Sequence, residues 1–414
     1  MLPSPFPFRG ALTRRELLQR TGCDVLGLSA LQFLGGGTEL HAAENATAEL
    51  GAKYATDPVW LKAKYGPWGG PGVRPTPGPM DEVRARDYAP VPSLVLEEHP
   101  VAQARFPAID LHAHSNAKTP QELAGWVRTM DEVGIETTVV LTGATGEAFD
   151  KMADLYLTRA DRFQVYCGLL TTNIDQPDYP QKAAAELERC FKKGARGTGE
   201  LSDKGMGLGG GANLPRPKRL HADDARLDPF FKKCAELKIP VVAHIADHPS
   251  CWKPLDVYQE RPPQYQHFNL HGKDVPTHAE LIATRDRAVA KHRQTTFISC
   301  HLGNQGHDLG ALSQALDKYP NLFVDISARD YEVGRTPRAA AKFLAKHKDR
   351  VLFGTDMGRE ISMYRAWWRL FETADEFMPS RVGWPYYGLE LAPPILEAMY
   401  RGNGRRLMNW QGRA

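Results

Sequence analysis

The sequence contains no C-x-x-C pair, no internal repeat, and no apolar run approaching the roughly 20 residues needed to cross a bilayer. It also lacks a surplus of one charge. Its six cysteines (Cys23, Cys167, Cys190, Cys234, Cys251 and Cys300) are scattered, which argues against a thiolate zinc site or a dithiol redox motif. Lys and Arg total 52 against 49 Asp and Glu, for a net charge of +3. No broad field is left to attract nucleic acid or an acidic membrane surface, so the expected partner is a small-molecule substrate. A homo-oligomer stays open. Hydrophobic residues make up 42% and charged residues 24%, enough to bury a large core and unlike a disordered chain. The 414 residues suit one large α/β unit with additions.

Residues 1–43 read as an address. Thr13-Arg14-Arg15-Glu16-Leu17-Leu18 resembles a twin-arginine export motif, and a mildly apolar run extends from Val25 to Gly35. Leu40-His41-Ala42-Ala43 then offers a small-residue cleavage site. The expectation is a removed signal with no transmembrane segment remaining, and a periplasmic or extracellular protein. Residues 44–105 are rich in Pro and Gly, as in Tyr65-Gly66-Pro67-Trp68-Gly69-Gly70-Pro71, yet carry Trp60 and Tyr88 as well. Proline removes a backbone donor and fixes φ, so long helices and central strands are excluded there. An irregular arm packed on the main domain is expected.

From residue 106 to 412 short apolar runs alternate with helical patterns. Strands are predicted at Ala108–His112, Thr137–Thr142, Phe163–Leu170, Gly197–Glu200, Pro240–His244, Thr296–His301, Leu322–Ile326 and Val351–Thr355. Helices are predicted at Gln181–Lys193, Pro229–Lys238, His278–Lys291, Gly310–Lys318 and Pro337–His347. Continuous apolar strands, each followed by room for a helix, indicate buried parallel strands. The fold class is therefore α/β, a (β/α)8 TIM barrel with an irregular N-terminal arm. Two connections, 201–224 and 245–277, exceed what the barrel needs and should lie at its C-terminal face, where barrel active sites sit.

The chemistry gathers at the strand ends. In Asp110-Leu111-His112-Ala113-His114, residues two apart on a strand share a face, so His112 and His114 point the same way. His244, His301, Glu200 and Asp356 each close a predicted strand. Singly, each is an ordinary hydrogen-bonded strand-end residue. Together, on the first, fourth, fifth, sixth and eighth strands, they surround one rim. Imidazoles and carboxylates there suit a divalent ion, zinc first with manganese or iron as alternatives.

This ligand order resembles the amidohydrolase superfamily, and within it the branch of aminocarboxymuconate-semialdehyde decarboxylase, related lactonases and aromatic-acid decarboxylases. The resemblance implies that His112, His114, His244 and Asp356 hold one metal. It implies an acid/base role for His301, or ligation of a second ion. Glu200 stands where a bridging lysine occurs in other members, so it could bridge two ions or touch substrate, and the count of one or two ions stays open. Two reactions are implied. The first is hydrolysis of an amide, ester or lactone by metal-activated water, with Asp356 moving the proton; the alternative is non-oxidative decarboxylation.

Arg329, Arg196 and Arg359 are candidate grips for an anionic substrate, Arg329 foremost. Gly205-Met206-Gly207-Leu208-Gly209-Gly210 fits a dinucleotide fingerprint, but Leu214-Pro215-Arg216-Pro217 cannot open the helix that motif requires. These glycines are read instead as a solvated basic loop or a mobile flap, with Lys204, Arg216, Lys218 and Arg219 as its basic rim. Trp367, Trp368 and Phe371 read as a helix packed on the barrel. His248, His267, His271 and His278 read as solvent-exposed loop residues. Ser299, Ser327 and Cys300 form no legible nucleophile arrangement.

Overall fold

The computed structural model describes residues 82, 83, 87, 91–209, 214–255, 259, 260, 268–380 and 384–408. The predicted export segment and most of the predicted arm lie outside them. Chain contacts divide Met1–Pro92 from Ser93–Ala414, and every element of the barrel belongs to the second unit.

Eight parallel strands form the barrel: β1 Ala108–Ala113, β2 Ile135–Leu141, β3 Phe163–Tyr166, β4 Thr198–Asp203, β5 Val241–Ile245, β6 Phe297–Ser299, β7 Leu322–Asp325 and β8 Val351–Leu352. Ladders run β1-β2-β3 and β4-β5-β6-β7-β8. Two seams close the ring. Gly199 N donates to Cys167 O at 2.8 Å between β3 and β4, and Leu111 N donates to Phe353 O at 3.0 Å between β8 and β1. The protein is a (β/α)8 barrel.

The principal helices are α1 Pro120–Val133, α2 Gly146–Tyr156, α3 Tyr179–Lys193, α4 Asp228–Leu237, α5 His278–Lys291, α6 Leu309–Lys318, α7 Pro337–Lys346 and α8 Ile361–Glu372. Local sequence explains their limits. Thr119 and Glu122 form a capping box before α1, and Gly134 at φ 86° ends it. Thr277 and Glu280 form a second box before α5. Trp367, Trp368 and Phe371 of α8 are buried against the barrel, as their spacing predicts.

Two apolar layers result. Ile109, Leu111, Val139, Leu141, Val242, Ile298 and Leu352 belong to a compact inner cluster, while a larger one, including Trp126, Phe230, Leu312 and Trp368, joins strands to helices. Residues 93–105 carry no regular secondary structure. They are tied down nonetheless: Ala104 N donates to Val133 O at 3.1 Å, and His99 N donates to Asp375 Oδ2 at 2.8 Å.

Strands β6 and β8 end earlier than predicted, for a common reason. The chain leaves β6 through left-handed His301 (φ 60°) and Leu302 (φ 52°), and leaves β8 through Asp356 (φ 55°). Ala246 (φ 67°) after β5 and Ala328 (φ 48°) after β7 repeat the device. Such backbone is unfavourable for residues with a Cβ and concentrates at functional sites. Here it bends the chain out of the strand at the residue that carries the functional group, or next to it.

Candidate metal centre

His112, His114, His244, His301, Glu200 and Asp356 converge at the C-terminal rim. Donor atoms of His112, His114 and Asp356 all lie within 4.8 Å of one another. His114 Nε2 is 2.9 Å from Asp356 Oδ1, and His112 Nε2 is 3.7 Å from the same oxygen. His301 Nε2 approaches Asp356 Oδ2 at 3.8 Å and Glu200 Oε1 at 3.5 Å. His244 joins through its Nδ1, which meets Glu200 Oε1 and lies 3.1 Å from His301 Nε2.

The rings are oriented from behind. His112 Nδ1 lies 2.9 Å from Asp325 Oδ2, and His114 Nδ1 lies 3.2 Å from Leu141 O. A carbonyl or carboxylate there takes the ring proton onto Nδ1 and leaves the Nε2 lone pair facing inward, as metal-bound histidines require. His112 Nε2 and His244 Nε2 are fully buried and have no hydrogen-bond partner among the described residues. A buried imidazole nitrogen is seldom left unmatched without a use for its lone pair. The donor set fits a divalent cation: His112, His114 and Asp356 could hold it, and His112, Glu200, Cys300 and His301 make an overlapping group within the same reach.

Against burial, Asp325, Asp356 and Glu200 raise His112 to about 10, so the centre as it stands presents a concentration of negative charge that a cation would relieve. Burial alone would raise the carboxyl of Glu200, but His244, His301 and His112 outweigh it and hold it well below its ordinary value. Asp356 is likewise lowered against burial by His112, His114 and His301. Burial, with His244 and Arg329 nearby, depresses His301 to about 4, so its ring is neutral at pH 7. Burial, with Asp325, Glu200 and Asp356 nearby, raises the Cys300 thiol well above its ordinary value.

Asp325 and Ser327 escaped the sequence reading. Asp325 Oδ1 accepts from His301 N at 2.8 Å, Ser327 N at 3.1 Å and Ser327 Oγ at 2.5 Å. Ser327 Oγ lies 2.8 Å from His301 Nδ1, and Ser327 O lies 2.9 Å from the same atom. The available signal was a carboxylate inside the otherwise apolar strand Leu322-Phe323-Val324-Asp325, which demands a buried partner. Asp110 does the same for β8, accepting from Thr355 N at 3.0 Å, Thr355 Oγ1 at 2.8 Å and Tyr364 OH at 2.9 Å.

The structure separates the three arginines. Arg329 is buried near the centre, but Asn304 Oδ1 accepts from its Nη2, and Glu332 at 3.3 Å and Asp247 at 3.8 Å share its charge. Arg196 precedes β4 at the opposite end of the barrel, exposed beside the Phe191 ring, because only residues after a strand reach the active rim. Arg359 donates to Glu122 O of α1 at 2.9 Å and pairs with its carboxylate at 4.0 Å. His248, expected in solvent, is buried, whereas His271 is exposed; His267 lies outside the described residues.

A cavity of about 420 Å³ opens beside Glu200, lined by Leu169, Thr171, Ser202, Lys204, Met206 and Leu208 among others. Gly205, Gly207 and Gly209 all take positive φ. Asp203 Oδ1 accepts from Gly205 N and Gly207 N, each at 2.9 Å. Gly207 and Gly209 thus line the cavity. A larger cavity of about 760 Å³ lies along α8 and touches none of the histidines.

Residues 97–410 match the family model described as Amidohydrolase. No curated protein matches the chain. Among solved structures, the chain is similar to an uncharacterized TIM-barrel protein from Bordetella bronchiseptica, at 18% identity and a TM-score of 0.47 over 73% of this chain and 98% of that one. It is also similar to 2,6-dihydroxybenzoate decarboxylase from Rhizobium, at 20% identity and a TM-score of 0.45 over 75% and 100%. A third is 5-carboxyvanillate decarboxylase from Novosphingobium aromaticivorans complexed with manganese, at 15% identity and a TM-score of 0.46 over 74% and 96%.

Proposed function

Because the chain belongs to the amidohydrolase family, we propose that it is a metal-dependent enzyme acting on a small carboxylic acid, and that its reaction is non-oxidative decarboxylation. The observation that carries the acid as substrate is Lys204 in the wall of the cavity that opens at Glu200. Lys204 Nζ lies 3.5 Å from Asp247 Oδ2 and 5.2 Å from the centroid of the Phe268 ring; from that wall it can exchange Asp247 for an anionic substrate, a contact a neutral amide has no use for.

A divalent ion at the histidines would supply a Lewis acid that chelates a carboxylate and a neighbouring oxygen. Zinc, manganese and iron(II) all suit the donor set. The chain's own groups do the remainder. His112 and His301 are held rigid through Asp325 and Ser327, and neutral His301 keeps its Nε2 toward Glu200 and His244. The carbon that loses carbon dioxide gains a proton in its place. Asp356, with 24% of its side chain exposed against 0% for His112, is the carboxylate placed to relay that proton from solvent.

Hydrolysis is the second reading, favoured by that same position of Asp356, which would take a proton from an attacking water. One experiment separates the two. In deuterated, oxygen-18 water the metal-loaded enzyme is offered small hydroxylated aromatic acids and corresponding lactones. Decarboxylation leaves a solvent deuteron on carbon and releases carbon dioxide. Solvent oxygen in an acid product, without carbon dioxide, would instead establish hydrolysis. We also propose twin-arginine export; an Arg14→Lys, Arg15→Lys protein that still leaves the cytoplasm would reject it.

A further inference from the structure

Beyond the rim centre lies a second set of metal-type donors. His248, His307 and Glu332 each offer an atom within 4.8 Å of the other two. They come from three different connections: His248 after β5, His307 after β6 and Glu332 after β7. We propose that they bind a second divalent cation of the zinc type, which ties these three loops together beside Arg329.

The spacing matches that of two ligands sharing one ion. His248 Nε2 is 3.5 Å from Glu332 Oε1 and 3.9 Å from Glu260 Oε2. Both are long for a hydrogen bond. Two ligands at about 2.0–2.1 Å from a tetrahedral zinc lie about 3.3–3.4 Å apart, close to the first value. The His248 and His307 rings lie 5.6 Å apart at 73°, close enough for both to reach one ion.

The surroundings are arranged for it. Ser250 N donates to His248 Nδ1 at 3.2 Å, and the Ser250 hydroxyl lies 2.8 Å from the same atom, which fixes the ring with Nε2 toward Glu332. Arg329 Nε lies 3.3 Å from Glu332 Oε2 as an ion pair, and Glu332 Oε1 lies toward His248. A Cβ at Gly306 would come within 2.0 Å of Glu332 Oε2, so only glycine lets this carboxylate lie against the β6 connection. His248 and Glu332 are buried and His307 is exposed, which gives an ion a way in from solvent. Glu260 stands by as a fourth donor, held by Arg335 at 2.8 Å.

The site is independent of the reaction assigned to the rim centre, and metal counting tests it. The full chain, stripped by chelator and dialysed, is titrated with cobalt(II) and followed by metal content and visible absorption. Two equivalents are expected in the wild type, one of which gives four-coordinate bands that His307→Gln and His248→Gln each abolish. His307 is exposed, so its variant should fold; an unchanged circular dichroism spectrum confirms that. Glu200→Gln should keep this second equivalent. A wild type that holds a single equivalent overturns the proposal. So does a second equivalent that survives His307→Gln, or one lost in Glu200→Gln instead, since either places it in the rim centre.

Discussion

Asp325 Oδ2 lies 2.9 Å from His112 Nδ1, and both side chains are completely buried. The same carboxylate receives His301 N and Ser327 Oγ on its other oxygen. One strand-seven residue thus sets the direction of the first-strand histidine and the backbone of the sixth-strand histidine. Asp325→Asn keeps the volume but can present only one oxygen. Metal affinity is expected to fall about 10- to 100-fold, read by competition with a chromogenic chelator, while the circular dichroism spectrum is unchanged. Full retention of affinity would remove Asp325 from the centre.

Gly354 links β8 to the rim, and a Cβ there would sit 2.7 Å from His112 Cβ and 3.0 Å from His112 N. Neither atom is at the end of a flexible chain, so β1 and β8 must part. Gly354→Ala should destabilise the protein by about 1–3 kcal/mol and lower bound metal as well. Gly125 of α1 is the control, because its added Cβ would meet only Arg128 Nη2 at 3.6 Å. Gly125→Ala should leave the melting temperature unchanged or raise it slightly.

Lys204 and Arg329 should part company in kinetics. Lys204 lines the cavity, so Lys204→Ala is expected to raise KM for an acidic substrate about tenfold, the worth of one charge-assisted contact, with a smaller change in kcat. Arg329 is engaged by Asn304 and Glu332, so Arg329→Ala should lower the melting temperature by leaving buried acids uncompensated. An Arg329→Ala protein of unchanged stability with a raised KM would return that residue to the substrate.

His221 Nδ1 lies 2.6 Å from Asp203 Oδ2, and Asp203 also holds the glycine wall through Gly205 N and Gly207 N. The hydrogen bond to Asp203 raises the histidine above its ordinary value, against burial. A raised folded-state value means the protonated pair stabilises fully below about pH 6.5, the unfolded value, and is lost as pH rises through the folded value. The protection of amides in residues 203–209, corrected for intrinsic exchange, should therefore fall as pH rises through the folded value of His221. His221→Gln should remove that pH dependence, and an identical profile in the variant would refute the assignment.

The sequence by itself determined the eight-stranded barrel, because buried parallel strands must be continuous apolar runs and helices declare themselves through caps and spacing. His278–Lys291 was legible to the residue, since Thr277 and Glu280 mark its start. It also determined the candidate donors: a histidine or acid ending an apolar run is conspicuous whatever surrounds it. The tertiary structure alone decided how those donors are used. Asp325 and His112 are 213 positions apart, and no local pattern announces that pairing. Arg196 and Arg359 share the charge of Arg329, yet one lies at the wrong end of the barrel and the other turns to α1. His248 looked like a loop residue until the chain after β5 folded it against Glu332 from β7. Periodicity and capping act within a few residues, whereas orientation, burial and charge pairing depend on neighbours that only the closed barrel supplies.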